Sequence, residues 1–291
     1  MTSGCPTYSH FEDSLTGLPN RPFSLERLES GLRRGVGRGE FVLYYQPIVR
    51  LDSRRISGAE ALIRWEHPHL GTLPPACFFR LAEETGTIVP LTTWAVREAF
   101  AQVARWEEQD VTIARLAVNL SAHQLREPDF ARTIGRIAED KGIDPQRIEL
   151  EVTESVLAAG DPRSIETLHD LKTQGFGIAI DDFGTGHSSL SSLQLLPVDR
   201  LKIDGAFVRD LGSSEQSAAT AELILSIAQR LGLCVTAEGV ETAEQLEFLE
   251  ARGCDEIQGN YLGEPGPPAT LEHAVMDHAV IRPACAASSA R

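Results

Sequence analysis

From Phe41 to about Leu262 the apolar residues follow two alternating rhythms. Ile224, Ile227, Ala228 and Leu231 recur at the i, i+3, i+4, i+7 spacing of one helix face, and Gly232 closes that segment. Phe130, Ile134, Ile137 and Ala138 mark a second helix ended by Gly142, and Ile165, Leu168 and Leu171 a third. The third has Asp161 as N-cap, Pro162 at its first position and Gly175 as its stop. Thr242 and Gln245 form a capping box ahead of Leu246 and Leu249. Between the helices lie short β-branched runs near 114–119, 147–152, 176–181, 199–203, 233–238 and 254–257, preceded by one from Ser57 to Ile63. Repeated strand–helix alternation predicts an α/β fold with a parallel sheet.

The strands carry a finer pattern. One face holds Leu116 and Val118, Ile148 and Leu150, Ile178 and Ile180, Leu201 and Ile203, Val235 and Ala237, which calls for helices packed on it. The opposite face ends in a polar group, strand after strand: Glu60, Asn119, Glu151, Asp181, Lys202, Glu238 and Gln258. An open doubly wound sheet also satisfies the alternation. A TIM-type (β/α)8 barrel is favoured because its inward faces converge on one axis and its sites sit at the C-terminal mouth.

The bulk properties narrow the field. With 291 residues, 42% of them hydrophobic, the chain suits one barrel of roughly 250 residues with extra ends. The 27 Lys and Arg against 42 Asp and Glu give a formal charge of −15, which argues against a nucleic-acid binder. No apolar run approaches the roughly 18 residues of a membrane span. Cys5, Cys77, Cys234, Cys254 and Cys285 are odd in number and contain no CxxC, so neither a disulfide framework nor a zinc knuckle is expected, and a cytoplasmic setting follows.

Several carboxylates at one mouth repel each other unless cations or protons neutralise them. Oxygen donors with a carboxamide and no cysteine suit a hard cation, Mg²⁺ or Mn²⁺. The adjacent Asp181 and Asp182 can diverge to two ions, the arrangement of two-metal phosphoryl hydrolysis. Lys202 either pairs simply with Asp204 or another acid, or sits among the carboxylates and polarises a water or a phosphate oxygen.

These residues stand in a series of linked motifs. Tyr44-Tyr45-Gln46-Pro47-Ile48, Glu60-Ala61-Leu62 followed by Ile63-Arg64-Trp65, and Val118-Asn119-Leu120-Ser121-Ala122 come first. Glu149-Leu150-Glu151-Val152-Thr153-Glu154 and Asp181-Asp182-Phe183-Gly184-Thr185-Gly186-His187-Ser188-Ser189-Leu190 follow. Leu196-Pro197-Val198-Asp199, Leu201-Lys202-Ile203-Asp204 and Ala237-Glu238-Gly239-Val240-Glu241-Thr242 complete it. In order and spacing this resembles the EAL-domain family of cyclic di-GMP phosphodiesterases over about residues 40–265.

The resemblance implies a barrel whose first strand runs antiparallel to the rest, and hydrolysis of cyclic di-GMP to linear pGpG. It implies metal ligation by Glu60, Asn119, Glu151, Asp181 and Asp182, with Lys202 beside the attacking water and Glu238 as general base or second-metal ligand. It gives Gln46, Arg64, Glu241 and Gln258 as dinucleotide contacts, Glu154 as the holder of the loop 183–189, and a homodimer through that loop. Asn260 and Glu264 depart from the usual aromatic and basic residues of the last motif, which bears on affinity for an anionic ligand. His187 departs as well and reads as a packing residue.

Asp13-Ser14-Leu15-Thr16-Gly17-Leu18-Pro19-Asn20-Arg21 resembles the opening of a diguanylate cyclase (GGDEF) domain, without that domain's catalytic loop. The expected organisation is therefore a segment 1–37 containing that remnant, a barrel over 38–268 and a tail over 269–291. Two other functions compete: a catalytically silent cyclic di-GMP receptor acting through a protein partner, and an unrelated Mg²⁺-dependent barrel lyase. Nothing in the sequence names a regulatory partner.

Overall fold

The computed structural model describes residues 25–186 and 193–276, apart from the side chains of 25–27, 157 and 158. The expected cyclase remnant at 13–21, His187 and most of the tail lie outside the described residues. The strands are β1 (Phe41–Arg50), β2 (Ile56–His67), β3 (Gly71–Leu73), β4 (Arg115–Asn119), β5 (Ile148–Thr153), β6 (Gly177–Phe183), β7 (Arg200–Ile203), β8 (Cys234–Ala237) and β9 (Glu256–Gln258). Their hydrogen-bonded order runs β1-β9-β8-β7-β6-β5-β4-β2-β3, and a further β1–β2 pairing closes the ring. β1 is antiparallel to both its neighbours, β2 and β9, whereas β2 and β4 to β9 pair in parallel around the ring. The expected TIM-type barrel with a reversed first strand is therefore present. β3 hangs outside the ring as a hairpin on the end of β2.

The helix ends fall where local chemistry puts them. The Asp161 side chain accepts the Ser164 amide at the start of helix Pro162–Thr173. Thr242 and Gln245 form the reciprocal capping box of helix Ala243–Ala251. Gly142 and Gly232 end helices Phe130–Lys141 and Glu215–Leu231 in the left-handed conformation that glycine adopts without a Cβ clash. The outward strand residues Leu116, Ile148, Leu150, Ile178, Ile180, Leu201 and Ile203 are at most 1% exposed beneath these helices, forming the main core.

The amino-terminal segment contributes a helix that sequence periodicity did not single out. Helix α1 (Leu25–Arg38) buries Leu32 completely and rests Leu28 and Val36 against the core. At the other end, helix Pro268–Met276 buries Leu271, and its Glu272 accepts a hydrogen bond from Trp106 Nε1 at 2.9 Å. Among the described cysteines, Cys234 and Cys254 are free thiols.

Inside the barrel, the layer at the amino-terminal ends of the strands is ionic. Arg115 and Arg200 alternate with Glu149 and Glu256 at 2.7–3.0 Å, and Arg200 also donates to Thr236 Oγ1 at 3.1 Å. Burial works against the charges of Arg200 and Glu256, yet the opposite charges outweigh it. Glu149 and Glu256 hold the Arg200 guanidinium above its usual range, and Arg200 and Arg115 hold Glu256 below the usual carboxylate range. Removing one cation would strand buried carboxylates. Arg200→Met is expected to cost about 3 kcal/mol in urea unfolding followed by far-ultraviolet circular dichroism.

Candidate metal and active site

Two residues further along the same strands, side chains of the same parity form a second inward layer at the mouth. Its centre is Lys202, 1% exposed on β7. The Nζ atom lies 2.6 Å from Glu238, 2.9 Å from Glu151, 3.2 Å from Asp181 and 3.4 Å from Glu60. Four strand ends are thereby drawn to one ammonium group, and the reading in which Lys202 simply pairs with Asp204 is set aside. Asp204 instead caps helix Gly205–Arg209 by accepting the Ala206 amide at 2.6 Å.

Glu60 is fixed from three sides. Asn119 Nδ2 donates to its Oε1 at 2.6 Å, Gln258 Nε2 donates to its Oε2 at 2.8 Å, and Lys202 lies against Oε2. Gln258 also donates to Gln46 Oε1 at 2.9 Å, and Gln46 donates to the Gly263 carbonyl at 3.0 Å. Asp181, Asp182 and Glu238 each offer an oxygen within 4.8 Å of the others. Asp182 adopts a left-handed conformation (φ 55°) within β6, where the register with β7 shifts between Ile180 and Phe183. The following turn is held by Glu154, whose Oε2 accepts the amides of Gly184 and Gly186, each at 2.9 Å.

The charges do not balance. Glu60, Glu151, Asp181, Asp182 and Glu238 surround a single lysine. Burial above all, aided by the repulsion of Asp181 and Glu60, overcomes the pull of Lys202 and pushes Glu238 up to about 8. Burial together with Asp181 and Asp204 pushes Asp182 up to about 7. Burial and Glu60 raise Glu151 well above the carboxylate range. Glu60 goes the other way: burial raises it, but Lys202, Gln258 and Asn119 outweigh burial and leave it low. Lys202 loses by burial and gains more from Asp181, Glu151, Glu238 and Glu60, so it stays charged.

Such a site fits divalent cations. Every donor is a carboxylate or carboxamide oxygen, and the buried Glu151 Oε1 and Gln258 Oε1 accept no hydrogen bond. Two positive ions would supply the charge that protons otherwise provide.

All five residues expected as ligands gather here, together with Lys202, Glu238, Gln46 and Gln258. Arg64 stands further along β2 towards the rim, half-buried, its guanidinium 5.6 Å from the centre of the Tyr44 ring. Glu241 is exposed; its amide is held by Gln245 Oε1, and no contact joins its side chain to the cluster among the described residues. Sequence reasoning missed Tyr44 as the platform under Arg64. The signal was available in the β1–β2 register, which places Tyr44 opposite Leu62, two residues from Arg64 on the same face. It also missed Asp204 as a hydrogen-bonding neighbour of Asp182.

The raised pKa values make the ion-free protein pH-sensitive. Groups protonated in the folded state at a pH where the unfolded chain is ionised contribute stability below about pH 4, and lose it as pH rises through about 7 for Asp182 and about 8 for Glu238. In chelator, the melting temperature is expected to fall between pH 5 and 8.5, with Mn²⁺ or Mg²⁺ restoring it most at the alkaline end. A flat profile in differential scanning calorimetry would contradict this charge arrangement.

The chain resembles a 42% identical, uncharacterised signalling protein of Caulobacter vibrioides, which it matches over 92% of its own length and 32% of the relative's. A cyclic di-GMP phosphodiesterase of Pseudomonas aeruginosa is 38% identical over 91% of this chain and 45% of that protein. The chain thus spans less than half the length of these curated relatives. Among solved structures, the PaMucR phosphodiesterase in complex with c-di-GMP superposes with a TM-score of 0.81 at 40% identity, covering 84% of this chain and 99% of that one. With the EAL domain profile matching residues 29–265 and the reversed-strand barrel in place, the chain belongs to the EAL domain family.

Proposed function

We propose that this protein hydrolyses cyclic di-GMP to linear pGpG with the help of two divalent cations, Mg²⁺ or Mn²⁺. The observation that carries the proposal is the excess of carboxylates around Lys202 at the barrel mouth, with every ligand position of the family filled by a competent oxygen donor. Glu60, Asn119, Glu151 and Asp181 would hold one ion, and Asp181, Asp182 and Glu238 a second. The proximity of Glu238 to Asp181 and Asp182 supports its role as ligand over that of general base. When bound, such ions supply Lewis acidity towards a phosphodiester and acidify water.

The chain's own groups do the rest. Lys202, kept charged by its neighbours, stabilises negative charge developing on the phosphoryl oxygens. Gln258 and Asn119 hold Glu60 in one rotamer, and Gln46 ties Gln258 to the mouth. Arg64 offers a planar fork to a phosphate, or a flat cation to a base, from its seat on Tyr44. Glu241 completes the recognition set if the dinucleotide reaches the exposed rim. Water adds to one phosphorus, the bond to one 3′ oxygen breaks, and the second phosphodiester survives in pGpG.

The same reading places the barrel at 38–268, the protein in the cytoplasm without nucleic acid as partner, and a homodimer through the loop 183–189. Among the described residues no helix is long and apolar enough to cross a membrane. The silent-receptor alternative gains nothing from a ligand set with no gap.

Purified protein with Mn²⁺ is expected to convert cyclic di-GMP to pGpG on anion-exchange chromatography. Glu60→Ala is expected to lower kcat at least about a hundredfold, the usual cost of losing a ligand or its support. Binding without turnover by the wild type would transfer the assignment to the receptor.

A further inference from the structure

Helix α1 is built to sit closely and to hold weakly. Three glycines, Gly31, Gly35 and Gly37, fall within its 14 residues, and each lowers intrinsic helix propensity. A helix of this length is marginal alone, so its order comes from docking. Two of the glycines make the docking surface. A Cβ at Gly31 would stand 3.3 Å from the Trp65 ring; one at Gly35 would stand 2.9 Å from the Phe41 ring and 3.4 Å from Trp65 Nε1. Gly37 faces open space, with nothing within 4 Å.

Beneath this face Trp65 is completely buried, stacked on Phe41 at 5.4 Å and edge-on to Phe78 at 5.8 Å. Its Nε1 donates to Glu40 Oε2 at 3.1 Å, and the Glu40 amide donates to the Gly35 carbonyl, also at 3.1 Å. The Glu66 amide donates to the Glu40 carbonyl at 2.7 Å. Packing and these hydrogen bonds thus link helix α1, Glu40 and the end of β2. Arg64 precedes Trp65 and projects from the opposite face of the strand, over Tyr44.

We propose that Trp65 is a positioning residue for Arg64, and that docking of α1 through Gly31 and Gly35 sets affinity for the dinucleotide without entering the chemistry. The inference rests on the cyclic di-GMP reading above. Undocking α1 frees Trp65 to change rotamer and lets the end of β2 shift, while Glu60, four residues back and tied to Asn119, Gln258 and Lys202, stays in place.

The test is a double-mutant cycle on the full chain with Mn²⁺, reading KM and kcat for hydrolysis and Kd for cyclic di-GMP by calorimetry. Gly35→Leu is expected to raise KM and Kd about fivefold with kcat within about twofold. In an Arg64→Ala background the same substitution is expected to add less than about twofold, because its effect passes through Arg64. Trp65→Phe, which keeps the ring stack but loses the bond to Glu40, is expected to give a smaller shift of the same kind and serves if Gly35→Leu fails to fold. Gly37→Ala, on the open side of the helix, is expected to match wild type. Unchanged affinity in folded Gly35→Leu, equal effects in both backgrounds, or a fall in kcat without a rise in KM would overturn the proposal. A wild type that neither binds nor cleaves cyclic di-GMP would overturn the functional reading itself, and this inference with it.

Discussion

One ammonium group organises the mouth of this barrel. Lys202 is buried, and four carboxylates from four different chain segments lie within 3.4 Å of it. A lone buried lysine would shed its proton, because desolvation penalises the charged form. Here the surrounding acids reverse that outcome, and the lysine in turn limits how far those acids repel one another. It cannot neutralise all of them. The uncompensated remainder raises Glu238 and Asp182 towards neutral pH, and it would favour a bound cation.

The same strands show what a balanced arrangement looks like. Two residues nearer their amino-terminal ends, Arg115, Glu149, Arg200 and Glu256 alternate in sign and satisfy one another. β5 carries Glu149 in the balanced layer and Glu151 in the unbalanced one; β7 carries Arg200 and then Lys202. Period-two geometry sends both members of each pair inward. One layer closes the barrel floor as a neutral network, and the other leaves an electrostatic deficit at the mouth. Stability and function are thus separated by about 7 Å along one strand, the rise of two residues.

Much of this was legible in the sequence because it depends on alternation and capping, which are local. The polar strand ends from Glu60 to Gln258 identified the mouth, and Asp161, Thr242, Gly142 and Gly232 marked helix ends that the structure reproduces. What was illegible depends on register or on distant partners. The reversed direction of β1 came from family resemblance, since a strand's own residues do not encode its polarity. Arg115 and Glu256 are 141 positions apart, and nothing local announces their pairing. Helix α1 escaped notice because its glycines depress the very propensity by which helices are read, although Leu28, Leu32 and Val36 keep the right spacing.

The position of Arg64 shows why remote packing matters to a site that otherwise looks self-contained. Glu60 and Arg64 share one strand and one face, but they are restrained by different neighbours. Glu60 is held inside the ring by Asn119, Gln258 and Lys202, all on closed-barrel strands. Arg64 lies where β2 runs past the ring, supported by Tyr44 on one side and, through Trp65, by a glycine-rich helix on the other. The ring-held end of β2 thus carries Glu60 in the charge cluster, and the end beyond the ring carries Arg64. A perturbation arriving through the amino-terminal helix meets the Trp65 and Arg64 end first. Under the proposed reading, movement of the amino-terminal helix would reach Arg64 while the carboxylate cluster, fixed by the closed ring, keeps its geometry.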